Sequence, residues 1–96
     1  MKKTNRDILR KSAAALRYNA QKEHAPRLVA KGSGKIAERI IEAARDAGIP
    51  LYEDPDLLAL LMKLDINEVI PSEMYLAVAE VLAFIYRLNK KAAAGV

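Results

Sequence analysis

Lys31-Gly32-Ser33-Gly34-Lys35 is the segment of this 96-residue chain that comes nearest to phosphate chemistry. Backbone amides of a glycine-rich turn that opens a helix can cradle a phosphate. The full P-loop pattern is not met. Val29 stands where the first glycine is required, and Ile36 where the hydroxyl residue after the lysine is required. A turn and a helix cap remain. Thr4, Ser12, Ser33 and Ser72 are the possible hydroxyl nucleophiles, and His24 is the sole imidazole. Nothing in the order of residues sets His24 beside any of them, so no triad is expected. Glu53, Asp54 and Asp56 cluster their carboxylates as a metal site or an acid–base pair would. Asp54-Pro55, however, is a helix start, an N-cap followed by proline at the first helical position. The cluster then reads as a cap and a solvated acidic rim. With no cysteine, disulfides, thiolate nucleophiles, Cys-based zinc and iron–sulfur sites are excluded. One histidine excludes a His-rich metal centre. No catalytic residue, metal or cofactor is expected.

Of the residues, 52% are hydrophobic and 29% charged, which suits one small globular domain and not a disordered chain. No apolar run reaches the roughly 18–20 residues of a membrane span. The basic N-terminus is followed by polar residues, unlike a signal peptide. The expectation is a soluble cytoplasmic chain. Its net charge of +4 is unevenly spread: residues 1–40 carry a net +8 and residues 41–96 a net −4. A basic half can attract nucleic acid, an anionic membrane or an acidic partner, or be a solvated face. No recognition-helix signature, RNA-binding sheet motif or aromatic pair on a strand accompanies it.

The elements that must carry these residues follow from periodicity. Lys11–Tyr18 is alanine-rich, which favours helix by propensity, yet it precedes a turn-like Asn19–Lys22, which favours strand. Arg27–Lys31, between Pro26 and Gly32, reads as a strand. A helix opens at Ser33 or Gly34 with Ile36, Ile40, Ala44 and Ala47 on one stripe, widened by Ala37 and Ile41. Gly48 stops it and Pro50 prevents its resumption. Leu51-Tyr52 is expected as a short strand, which would complete a βαβ unit with a parallel pair. A second helix runs from Asp54-Pro55 to about Leu64-Asp65. Pro71-Ser72-Glu73 opens the last helix, whose stripe is Met74, Val78, Val81, Ile85 and Leu88. Its other side carries Tyr75, Glu80, Tyr86 and Arg87. Residues 1–11 read as a basic leading segment, 12–91 as the domain and 92–96 as a loose tail.

Four stretches taken together resemble one known order: Ala13–Tyr18, His24–Gly32, Ile49–Pro55 and Ile70–Leu82. The chain is similar to the cytoplasmic C-terminal domain of the FlhB/YscU family, the export-switch proteins of flagellar and injectisome type III secretion. The likeness runs from about Ser12 to Asn89, and the last helix matches best. It implies that the alanine stretch is a strand. It also implies an α/β fold, a small mixed sheet of three to four strands flanked by three to four helices in a single domain. Family members carry a membrane domain and an Asn-Pro-Thr-His motif at which the chain cleaves itself. The matching positions here are Ile8, Leu9, Arg10 and Lys11. Isoleucine has no side-chain amide to cyclise, so no self-cleavage is expected. The chain looks like a free-standing form of the released fragment. The resemblance further implies an apolar patch that receives export substrates, at Ala25, Pro26, Ala79 and Leu82. Pro26 has no amide to give a ladder and suits an exposed strand entrance. Ala79 suits a depression on an exposed helix face beside the larger Leu82. The implied role is a non-enzymatic interaction module of the export apparatus. Its partners would be export-apparatus proteins, export substrates and a membrane FlhB paralogue, at the inner face of the export gate. A small basic nucleic-acid-binding module is the alternative.

Overall fold

In the computed structural model, which describes residues 11–94, the chain opens with a hairpin. Strand β1 is Ser12–Arg17 and β2 is Arg27–Ser33, and they pair antiparallel. The alanine stretch is therefore strand: the ladder overrides its helical propensity. Ala15 faces Ala30 while Leu16 faces Leu28, so Val29 is an extra residue in β2 and a bulge forms there. Helix α1, Lys35–Asp46, lies across both strands. Its inward face is centred on fully buried Ala37, with Ile40, Ile41 and Ala44 half-buried. Ile36, expected on the stripe, is exposed, but its side chain crosses the backbone of Gly32. A Cβ on Gly32 would lie 2.1 Å from Ile36 Cγ2, so only glycine fits. Gly34 caps α1 at φ 62°, where a Cβ would be strained. At the other end Ile49 N–H donates to Ala44 O at 2.8 Å and Gly48 N–H to Arg45 O at 3.1 Å. These are the two bonds of a Schellman stop, with Gly48 at φ 73°.

The parallel crossover expected after α1 does not form. Leu51-Tyr52 is not a strand, and the sheet of the described residues has two antiparallel strands instead of a mixed set of three or four. Pro50 lacks a ladder donor, and Tyr52 is held by its ring, 5.0 Å from that of Phe84 and edge-on to it. The additional rung comes from Glu68–Ile70. Leu28 N–H donates to Glu68 O at 2.9 Å and Ile70 N–H to Pro26 O at 3.0 Å, around a single bridge between Arg27 and Val69. The turn before it places Asn67 at φ 76°, and the Asp65 amide donates to Glu68 Oε1 at 2.8 Å. Asparagine is among the residues that tolerate this region.

Helix α2, Pro55–Leu61, has the expected cap: the Leu57 amide donates to Asp54 Oδ1 at 3.1 Å. It ends short of Leu64, in tighter turns from Lys63 N–H to Leu60 O and Leu64 N–H to Leu61 O. Lys31 of β2 donates its ammonium to Met62 O at 3.0 Å, a cation at the negative end of the helix. A short 3-10 turn, Ser72–Met74, leads into α3, Tyr75–Ala94. The core is one cluster of Ala25, Leu28, Leu57, Leu61, Leu64, Ile70, Met74 and Val78. Leu28 and Val78 are its largest fully buried side chains. The described residues thus form a single α/β domain of one hairpin and three α-helices.

Candidate functional site

The phosphate-like segment is structural. Lys31, Gly32 and Ser33 lie in β2, and the Gly34 amide is spent on Lys11 O at 2.8 Å. The Ser12 and Ser33 hydroxyls bond each other at 2.8 Å across the strands. Ser72 is exposed, and so is His24 in the hairpin loop. Thr4 lies outside the described residues, as do Ile8, Leu9 and Arg10. Glu53 and Asp56 are exposed beside the capping Asp54. Among the described residues no group of three acids or histidines could hold a metal ion.

The hairpin loop is organised by a carboxylate that the sequence did not single out. Glu23 accepts from Arg17 at 3.3 Å, from the Asn19 amide at 3.3 Å and from Arg27 Nε at 3.5 Å. Arg27 also donates to the Asn67 carbonyl, which ties the loop to the turn before Glu68. Partial burial opposes ionisation of Glu23. The hydrogen bonds from Arg17, Asn19 and Arg27, with the charge of Arg17, outweigh it and hold the carboxyl below its ordinary value of 4.5. The available signal was Glu23 four residues before Arg27. Arg17, Arg27 and Lys31 are thus engaged within the fold. On the outer side of α1, Lys35, Arg39 and Arg45 alternate with Glu38 and Glu42. The α1 surface therefore presents mixed charge where a nucleic-acid site would need a stripe of one sign.

Ala25 is 4% exposed and belongs to the core cluster, against which half-buried Leu82 also packs. Pro26 is buried, contrary to the expected open strand entrance, because Glu68–Ile70 runs beside it and hydrogen-bonds its carbonyl. Ala79 is exposed on α3. The structure thus joins Ala25 and Leu82 in one cluster and leaves Ala79 as the accessible member of the four. Around Ala79 the outer face of α3 carries an exposed apolar stripe, flanked by exposed Glu80 and Arg87. Leu76, which the sequence reading passed over, is 79% exposed. Its signal was a three-and-four spacing, Leu76, Ala79, Ala83, Tyr86, on the side of the helix away from Val78.

A hairpin crossed by one helix and packed under a long helix with an apolar outer face defines a small α/β domain of recognisable kind. The chain belongs to the FlhB HrpN YscU SpaS family, whose pattern matches residues 10–85. It is 42% identical over 80 residues to YlqH of Bacillus subtilis (strain 168), covering 83% of this chain and 86% of that one. It is 46% identical over 79 residues to the flagellar biosynthetic protein FlhB of Yersinia enterocolitica. That match takes in 81% of this chain but 21% of FlhB, so the chain spans about a fifth of that relative. The crystal structure of the cytoplasmic domain of FlhB from Shewanella putrefaciens superimposes with a TM-score of 0.80 at 30% identity. The superposition covers 86% of this chain and 69% of that one. The chain is a C-terminal domain of the FlhB/YscU type. Among its described residues, no helix is long and apolar enough to cross a membrane.

Proposed function

We propose that this chain is a non-enzymatic interaction module of the flagellar or type III protein export apparatus. It works on the cytoplasmic side, at the inner face of the export gate, and contributes to substrate recognition or to the switch between substrate classes. Export-apparatus proteins, export substrates and a membrane FlhB paralogue are its partners. The observation that supports this reading is the apolar ground around Ala79: an exposed small residue one turn from Leu82, which packs on the cluster that holds Ala25. A small side chain beside larger ones leaves a depression that an apolar residue of an extended peptide can fill. Ala25 and Pro26 then act from beneath, as the floor, and not as surface contacts. Burying one such side chain contributes about 1.5–3 kcal/mol before ordering costs, so binding is weak and reversible, as a station that must release its cargo requires. The mixed charge of the α1 surface gives the nucleic-acid alternative no comparable support. The test is NMR titration of an export-substrate N-terminal peptide against the parent and Ala79→Glu. Parent shifts are expected around Ala79 and Leu82, and the variant should lose them while keeping its fold. Equal binding by both, or shifts centred on Gly32–Lys35, would show that the peptide site lies elsewhere.

A further inference from the structure

We propose that two copies of this chain associate as an antiparallel pair through the outer face of α3. Leu76 at 79% and Tyr86 at 65% are the most exposed large apolar side chains of the described residues. With exposed Ala79 and Ala83 they recur at alternating steps of three and four, the spacing of a coiled-coil seam. The opposite side of the same helix, at Val78, Val81 and Ile85, turns toward the core, so the seam is a second and separate face. Charge selects the occupant. Glu80 and Arg87 stand one heptad apart on one flank of the seam, both exposed, while the ion pairs among the described residues are those of Glu23. In an antiparallel pair with its two-fold axis at Ala83, the Glu80 of each copy lies opposite the Arg87 of the other. The same axis lays the aliphatic stem of Lys90 over Leu76 of the second copy. A parallel pair gives Glu80 no cation, because the facing flank carries Tyr75, Leu82 and Asn89 and sets Tyr75 against Glu80. The surface is thus complementary to itself in one orientation, as a two-fold interface requires.

The seam from Leu76 to Lys90 is about 21 Å long at the α-helical rise. Alanines at its centre let the helices approach but bury little area, so a dissociation constant on the order of 0.1 mM is expected. Ala79 lies on this seam, so a second copy and an export peptide would compete for it; the pairing does not depend on the export reading. Sedimentation velocity of the whole chain from about 10 µM to about 1 mM tests it, across a range where such a pair forms. The parent should pass from monomer to dimer. Ala83→Glu should stay monomeric. Arg87→Glu should weaken association at least about tenfold by setting carboxylate against carboxylate. Glu80→Arg combined with Arg87→Glu should restore it. A parent that stays monomeric throughout overturns the proposal. So does a dimer that Ala83→Glu or Arg87→Glu leaves unchanged, or one that the combined exchange fails to restore.

Discussion

Glu23 shows how one carboxylate can set the shape of a loop. Arg17, Asn19 and Arg27 converge on it from both ends of the hairpin connection, and Arg27 carries the link on to Asn67. Its carboxyl lies below its ordinary value of 4.5, so in acid the folded chain binds fewer protons at this site than the unfolded chain does. The contribution of this group to stability is therefore complete above pH 4.5 and is lost as the pH falls through the lowered folded value. Glu23→Gln removes the ionisation and keeps an acceptor. Acid unfolding followed by circular dichroism should show the parent losing more stability below pH 4.5 than the variant. Parallel curves would mean that the network does not hold in solution.

Helix α3 is read by two faces, and burial grades sharply along its inner one. Met74 is 7% and Val78 1% exposed, Val81 and Ile85 are half-buried, and Leu88 is 41% exposed. The stripe is sequence-continuous, but hairpin and α2 cover only its first half. A carboxylate at Val78 would be unpaired in the core, a cost of about 4 kcal/mol or more. At Val81 it can lean toward water, and about 1–3 kcal/mol is expected. Thermal melts should therefore show Val78→Asp without a cooperative transition and Val81→Asp with a lowered one. Equal losses would mean that the core extends further along α3.

At the scale of the whole molecule, the chain corresponds to about a fifth of FlhB from Yersinia enterocolitica and matches the cytoplasmic domain of another FlhB. The family resemblance sets the cleavage motif at Ile8-Leu9-Arg10-Lys11. We propose that the chain does not cleave itself there, because Ile8 has no side-chain amide to attack the backbone carbonyl. Intact mass after prolonged incubation at neutral pH should equal that of the full chain. A fragment beginning at Leu9 would refute this.

The local signals in the sequence were sufficient wherever one residue's covalent geometry decides the outcome. Asp54-Pro55 starts α2 and Gly48 stops α1, because each supplies a bond or a backbone angle that its neighbours cannot; the start of α1 lay between Ser33 and Gly34, and the structure places the cap at Gly34. The order of Ala13–Tyr18, His24–Gly32, Ile49–Pro55 and Ile70–Leu82 was enough to bring out the family. The pairing was not legible. Whether Leu51-Tyr52 or Glu68–Ile70 adds a rung beside Pro26 depends on which segment the core brings within hydrogen-bonding distance, and both are too short to show a period of their own. That choice buries Pro26 and leaves Ala79 as the accessible member of the candidate site. The roles of Gly32 and Glu23 were equally tertiary, set by a side chain four residues on and by arginines from two strands. Periodicity shows that a helix has two faces; the neighbours that fold against it decide which one remains in water.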